Sequence, residues 1–320
     1  MHDFAASFVD ALTARYPQDE ARTDELRALS ESIVELAAAR ASSDDLGIAV
    51  TALSELIAAS TVFSPWRERP KLTVFGSARV GEDDPHYAMA EQVSAAMAAR
   101  GWITVSGAGP GIMEAAARGA GRDHTLGVNV DLPFEQSANP YVDAETRLVE
   151  MKYFFTRKVA LTKESHAFVF FPGGLGTLDE AYELLTLMHT GKTNPSPIIL
   201  VDTADGTYWD RWLHFMEGSV MSAGYLDTDS ECLWDIRHSV EGAVEAIEHY
   251  YSNFVRFSLT AGRATIELRR APSATQLDAI SRVEPGFAPV RVEGTTVSFA
   301  FDGRSYVALR RVIDEFNRAG

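Results

Sequence analysis

The run FPGGLGTLDEAYELLTLMHTGK, Phe171 to Lys192, constrains this chain more than any other segment. It continues from an apolar stretch of strand length, Ala167 to Phe171, and Pro172 with Gly173, Gly174 and Gly176 cannot extend that stretch as a regular strand. A helix must then begin near Thr177, with Thr177 as its cap, Asp179 and Glu180 in its first turn, and Leu184, Leu185, Leu187 and Met188 as its buried stripe. A strand, a glycine turn and a helix N-terminus in succession leave backbone N–H groups free to meet an anion such as a phosphate. Glu180 is the odd member, because a carboxylate beside a phosphate site weakens binding unless it acts on the sugar. The plainer alternative is a helix acid that serves only the dipole.

Just upstream lies MKYFFTRKVALTKES. Helical spacing puts Met151, Phe154 or Phe155, Val159, and Leu161 or Thr162 near one side, with Arg157 and Lys158 projecting elsewhere. Two cations therefore sit one helix before the glycine turn. A solvated basic face is the bland reading of such a pair, and the neighbouring anion site argues against it.

Short apolar runs recur at Leu72 to Phe75, Trp102 to Val105, Leu126 to Val130, Ala167 to Phe171 and Ile198 to Val201, separated by stretches of helical character. Repetition of β then α predicts an α/β fold with a doubly wound parallel sheet. Gly76 and Ser77 end the first strand, and Gly107, Gly109 and Gly111 end the second, so two more turns face the sheet edge where ligands bind in such folds. The segment Ser106 to Gly111 is not a dinucleotide fingerprint. That motif needs G-x-G-x-x-G, but position 112 is Ile, and Pro110 is placed to start a helix.

The chain has 320 residues, so one central domain with smaller attachments is expected. The net charge of −16 argues against nonspecific nucleic-acid binding while leaving room for a local phosphate pocket. The N-terminus has no basic start followed by an apolar signal core, and no stretch is read as approaching membrane-spanning length. A cytoplasmic protein with no membrane partner is expected. The single cysteine, Cys232, excludes an internal disulfide and reads as a buried small side chain. The eight histidines show no HExxH-like spacing and no acidic cluster resembles a calcium loop, so no metal site is expected. His189 reads as a helix-end or packing residue.

Around the core, Leu26, Leu29, Ile33 and Leu36 recur at helical spacing, as do Val50, Leu53 and Ile57, which predicts two amphipathic helices covering the core or a second subunit. After about residue 255 the pattern changes. Alternation at Thr265 to Leu268, a helix over Ala274 to Val283, strand character from Val290 to Phe301 around a Glu293-Gly294 turn, and a helix over Tyr306 to Phe316 predict a small α+β appendage. Residues 256 to 320 hold ten arginines, no lysine and seven acids, hence +3, which leaves −19 for the rest of a chain at −16. The expected domains are a helical segment over 1–66, a central α/β domain over 67–255 and the appendage over 256–320.

The pairing of YFF-x-RK with PGG-x-GT-x-x-E resembles the LOG family in its long bacterial form. These are the phosphoribohydrolases that activate cytokinins, whose bacterial members were often mislabelled lysine decarboxylases. The resemblance spans roughly residues 70 to 250. It includes VFGSAR at Val74 to Arg79, SGAGPGIMEAAARGA at Ser106 to Ala120, and LPFEQSANPYVD at Leu132 to Asp143. Four ordered motifs make chance agreement far less credible than a lone glycine loop would. The resemblance implies a Rossmann-like sheet and hydrolysis of the N-glycosidic bond of a nucleoside 5′-monophosphate, AMP-like or a cytokinin riboside, to free base and ribose 5-phosphate. It also implies a homodimer or higher even oligomer and no cofactor. Arg157 and Glu180 would be catalytic. Substrate would be held by Gly76, Ser77, Arg79, Gly107, Gly109, Gly111, Met113, Glu114, Lys158, Pro172, Gly173, Gly174, Leu175, Gly176 and Thr177. Departures are mild: Ala108 stands where many relatives have glycine and Ala117 where long bacterial members often have asparagine.

Three other classes stay in play. A pyridoxal phosphate decarboxylase needs a Schiff-base lysine, and no histidine here is followed by lysine to give the pair familiar in such enzymes. A noncatalytic nucleotide or cofactor carrier shares the expected fold, and fold alone does not separate it from an enzyme. A regulatory module acting through partner proteins draws only on the terminal attachments.

Overall fold

A computed structural model of the protein describes residues 2–131 and 138–318. The chain divides into two units, 1–57 and 58–320. The first holds α1 (His2–Arg15), α2 (Glu20–Ala38) and most of α3 (Ser43–Phe63). Asp19 caps α2, its side chain accepting from the Arg22 N–H at 2.9 Å. The two expected helices are present, and α1 is an addition that buries Ala5 and Val9. Leu29, Ile33, Val50, Leu53 and Ile57 are exposed in the single chain.

One expectation fails in α3. With the short turn Ser64–Trp66 it makes a 24-residue segment that holds an 18-residue window of mean hydropathy 1.8, long and apolar enough to cross a membrane. Ala, Ser and Thr interrupt its larger apolar residues, so no unbroken run stands out in the sequence. Length and composition are the whole of that case. Its last turns place Ala59 and Phe63 in the protein's own core.

The second unit is built on a seven-stranded parallel sheet. Its strands are β1 (Lys71–Phe75), β2 (Ile103–Ser106), β3 (Thr125–Val130), β4 (Leu148–Met151), β5 (Ala167–Phe170), β6 (Ile198–Val201) and β7 (Asp235–Arg237), in the order β4-β3-β2-β1-β5-β6-β7. All pairings are parallel. Alternate residues feed opposite faces, as the pleat requires. Phe75, Val105, Val128, Phe168 and Phe170 join one core with helices α6 (Phe154–Lys163), α7 (Leu175–His189) and α8 (Tyr208–Phe215). Leu72, Val74, Val169 and Val201 join the other with α4 (Pro85–Ala99), α5 (Ile112–Ala120) and α9 (Val240–Tyr250). A Rossmann-like α/β fold follows. The chain winds outward from β1 to β4, then returns to place β5 on the other side of β1, so a crevice opens above β1 where the winding reverses.

The sequence missed β4 and β7. The first was obscured because Met151 was counted into the following helix, and the second is only three residues long. Met151 is buried at the end of β4, and α6 buries Thr156, Ala160 and Leu161 while Phe154, Phe155 and Val159 face outward. The predicted apolar side of that helix is therefore corrected: Thr156, Ala160 and Leu161 face the core, and the aromatics lie outside it, Phe154 lining the crevice.

Residues 254–317 form an antiparallel sheet ordered β10-β11-β9-β8, from β8 (Phe254–Thr260), β9 (Arg263–Leu268), β10 (Arg291–Glu293) and β11 (Thr296–Ala300), with α10 (Ala274–Val283) and α11 (Tyr306–Asn317). β9, β10, β11 and both helices follow the expected pattern, whereas the sequence reading missed β8, which begins at Phe254 ahead of the expected boundary at 256. Ser273 and Gln276 form a capping box at the start of α10. The buried Asn317 side chain ties α11 to the entry of β8, accepting from the N–H groups of Asn253 and Phe254 at 3.0 and 2.9 Å. At the end of α7, Gly191 has φ +70° and a Cβ there would lie 1.9 Å from the Tyr306 ring, so only glycine permits α11 to approach so closely.

Candidate active site

Three turns interlock at the carboxyl edge of the sheet. The Ser77 N–H, after β1, donates to the Pro172 carbonyl after β5 at 3.2 Å, and the Ile112 N–H, after β2, donates to the Ser77 carbonyl at 3.1 Å. Gly111, with φ +69°, lets these turns meet, since a Cβ there would stand 2.4 Å from the Ser77 carbonyl oxygen. Backbone carbonyls are thus occupied among the loops. Among the described residues the N–H groups of the first turn of α7 have no such partners: the first helical bond runs from the Leu178 N–H to the Gly174 carbonyl at 3.1 Å, and no side chain caps the turn. Leu175, Gly176 and Thr177 therefore offer N–H donors at the positive end of a helix of 15 residues.

This start corrects the sequence reading. The helix begins at Leu175 with Gly174 as N-cap, Thr177 is a buried first-turn residue, and Asp179 and Glu180 fall in the second turn. Thr177 is diverted from capping because it packs over the preceding loop: a Cβ on Gly173 would meet its Oγ1 at 2.2 Å.

The crevice above this turn has a volume of about 750 Å³. Of the expected substrate residues, Gly76, Ser77, Arg79, Gly107, Met113, Gly174, Leu175, Gly176 and Thr177 line it, together with Arg157 and Glu180. Phe75, Ala78, Val130 and Phe154 also line it and were not singled out as site residues in the sequence, where Phe75, Val130 and Phe154 read as strand or helix packing. Gly109, Gly111, Glu114, Lys158, Pro172 and Gly173 do not line it. Gly109 supports it, its carbonyl accepting from the Asn139 side chain at 3.1 Å and its α-carbon lying under Met113. Lys158 is drawn onto α7, its ammonium 2.8 Å from Asp179 and 2.7 Å from Glu183. Of the segment Leu132 to Asp143, residues 132–137 lie outside the described residues, and Asn139 packs on the loop after β2. Ala108 in that loop has φ +58°, the left-handed region where glycine is at home, with its methyl fully buried.

Arg157 and Glu180 meet across the crevice floor. An Arg157 terminal nitrogen lies 3.2 Å from Glu180 Oε1, and its Nε donates to the Val128 carbonyl at 3.0 Å. Both side chains are largely buried, at 12% and 14% exposure, which removes the solvated basic face as an account of Arg157. Gly107 is what admits the guanidinium, since a Cβ there would lie 2.2 Å from it. Burial pushes the Glu180 carboxyl up to about 7, with Arg157 and then Lys158 pulling the other way. A carboxyl so placed exchanges its proton near neutral pH, the property a catalytic acid or base requires. Among the described residues lining the crevice there is no lysine to form a Schiff base.

The protein-family model described as "Possible lysine decarboxylase" matches residues 111–247. A cytokinin riboside 5′-monophosphate phosphoribohydrolase of Mycobacterium tuberculosis is 34% identical over 145 residues, covering 44% of this chain and 71% of that protein. One from Rhodococcoides fascians is 29% identical over 193 residues, covering 59% and 95%. Among solved structures, the chain is similar to the molybdenum cofactor carrier protein of Chlamydomonas reinhardtii (TM-score 0.41, 21% identity, 57% of this chain and 97% of that one). It is also similar to the molybdenum cofactor binding protein of Rippkaea orientalis (TM-score 0.42, 21% identity, 57% and 96%). At that level of likeness nothing about ligands carries across.

Proposed function

The chain belongs to the LOG family of phosphoribohydrolases, and from that premise we propose that it hydrolyses the N-glycosidic bond of nucleoside 5′-monophosphates to free base and ribose 5-phosphate. The observation that carries this reading is the Arg157–Glu180 pair set in the same crevice as the uncapped start of α7. Phosphate on the N–H groups of Leu175 to Thr177 fixes one end of the substrate. Cleavage builds positive charge on the ribose ring, as in glycoside hydrolysis, and an ionised Glu180 stabilises that charge and orients the attacking water. Arg157 holds the carboxylate and offsets the negative charge that gathers on the departing base. A guanidinium has only donors to offer and keeps its charge, so Arg157 acts as an electrostatic partner rather than a proton donor.

A chromatographic screen of AMP, GMP, CMP and a prenylated adenosine monophosphate tests the reading. Release of base from at least one of them is expected. A protein that binds these nucleotides and leaves all of them intact would instead be a carrier.

The phosphate supplies orientation as well as affinity, so AMP is expected to exceed adenosine in kcat/KM by on the order of a hundredfold, through at least one charge-assisted bond at the helix start. Equal efficiency on the two would contradict the anion site.

The same reading includes an even homo-oligomer. Phe154 and Leu175, which line the crevice, and Phe155 and Val159 on the same helix as Phe154 are 50%, 88%, 51% and 47% exposed, and an isologous partner would cover them. A monomeric mass by light scattering would count against it.

A further inference from the structure

Pro172 of the PGG turn lines a second cavity, of about 610 Å³, together with His86, Asp202, Tyr208 and Trp212 among others. Its polar groups form a chain that ends on the turn itself. Asp202, 1% exposed at the end of β6, receives the His86 Nε2 at 2.8 Å, the Thr203 N–H at 2.8 Å and the Tyr208 N–H at 2.8 Å. His86 is held from its other side by Asp84, the N-cap of α4, at 2.9 Å. Gly206 is required beside them, since a Cβ there would stand 2.0 Å from Asp202 Oδ1. Burial pulls the Asp202 carboxyl upward, but the bonds from His86, Thr203 and Tyr208 outweigh it and hold it below the usual range, so it is an ionised anchor at neutral pH. The chain ends with the Tyr208 hydroxyl donating to the Gly173 carbonyl at 2.8 Å.

That last bond settles which way one peptide faces. A trans peptide points its C=O and N–H in opposite directions, so fixing the Gly173 carbonyl on Tyr208 turns the Gly174 N–H away from Tyr208, and Gly174 itself lines the crevice. Flanked by two glycines, this peptide is free to flip unless something holds it. A flipped peptide would present a carbonyl oxygen to the bound anion and withdraw a donor.

We propose that Tyr208, anchored by Asp202 and His86, is a positioning residue that locks the Gly173–Gly174 peptide in its anion-binding orientation. The proposal rests on the reading of the crevice as a phosphate site. It names a residue 31 positions beyond Thr177 that touches no substrate and acts through the loop alone. Two other carbonyls of this cradle, Pro172 and Ser77, are occupied by main-chain N–H groups, whereas the Gly173 carbonyl is held by the Tyr208 side chain.

Tyr208→Phe removes the hydroxyl and keeps the ring that packs edge-on against Trp209 at 4.8 Å. The affinity for inorganic phosphate, read by calorimetry as competition with ribose 5-phosphate, is expected to fall about fivefold to tenfold, the worth of one hydrogen bond. KM for AMP should rise by the same factor with kcat little changed, while KM for adenosine stays put. Wild-type phosphate affinity in the variant would overturn the proposal, as would equal losses on AMP and adenosine, which would mark a merely structural role. The phosphate measurement needs no turnover. If the wild type binds phosphate but hydrolyses nothing, the enzymatic reading fails and the positioning of Gly173 is still decided by the calorimetry.

Discussion

Glu180→Gln is expected to slow hydrolysis of a nucleoside 5′-monophosphate by on the order of a hundredfold or more while the protein stays folded. The substitution keeps the size and a hydrogen-bonding oxygen for Arg157 but removes the charge that would face the developing positive ribose. Stability gives an independent check. Burial raises the folded carboxyl to about 7 from an ordinary 4.5, so between those values the unfolded chain has released the proton while the folded chain retains it. Stability attributable to this group therefore falls as pH rises through that window and is fully lost above it. Glutamine carries no such cost, so at pH values above the window the variant should melt at or above the wild-type temperature. The expected pairing is lost turnover with undiminished Tm, read by product release and calorimetry. Near wild-type turnover would place the reacting sugar elsewhere.

Arg157→Ala should cost a comparable factor, on the order of a hundredfold in kcat/KM, because the guanidinium serves both the departing base and the state of Glu180. Arg157 is the leading influence opposing the upward push of burial on that carboxyl. Without it the carboxyl moves further up. Wild-type kcat/KM is expected to rise with pH through about 7 as Glu180 ionises, and the variant's rise should be displaced to higher pH. A shift in the profile separates this role from simple loss of packing, which would lower activity uniformly. An unchanged profile and rate would put Arg157 outside the chemistry.

Much of the site was legible because its chemistry is local in sequence. The glycine turn after β5, the cations of α6 and the glycines after β1 and β2 each announce themselves within a few residues. A parallel sheet then brings those separate turns to one edge. What sequence periodicity could not resolve was which face each residue would take. Phe154 and Phe155 look like core and lie outside it, whereas Thr156 and Ala160 are buried because small residues let α6 approach the sheet. Thr177 looks like a cap and instead packs over Gly173. Lys158 was read with Arg157 as one basic pair, yet successive positions on a helix point about 100° apart, so one reaches Glu180 and the other Asp179 and Glu183. The His86–Asp202–Tyr208 chain was invisible for a different reason. Its members come from three elements, and neither their types nor their spacing form a motif.

The account stands most directly on the products formed from AMP whose ribose carries an isotopic label. Wild-type protein should release adenine and labelled ribose 5-phosphate in equal amounts, with Glu180→Gln forming neither at a comparable rate. Tight binding of AMP with no product, or inorganic phosphate and adenosine as the products, would contradict it.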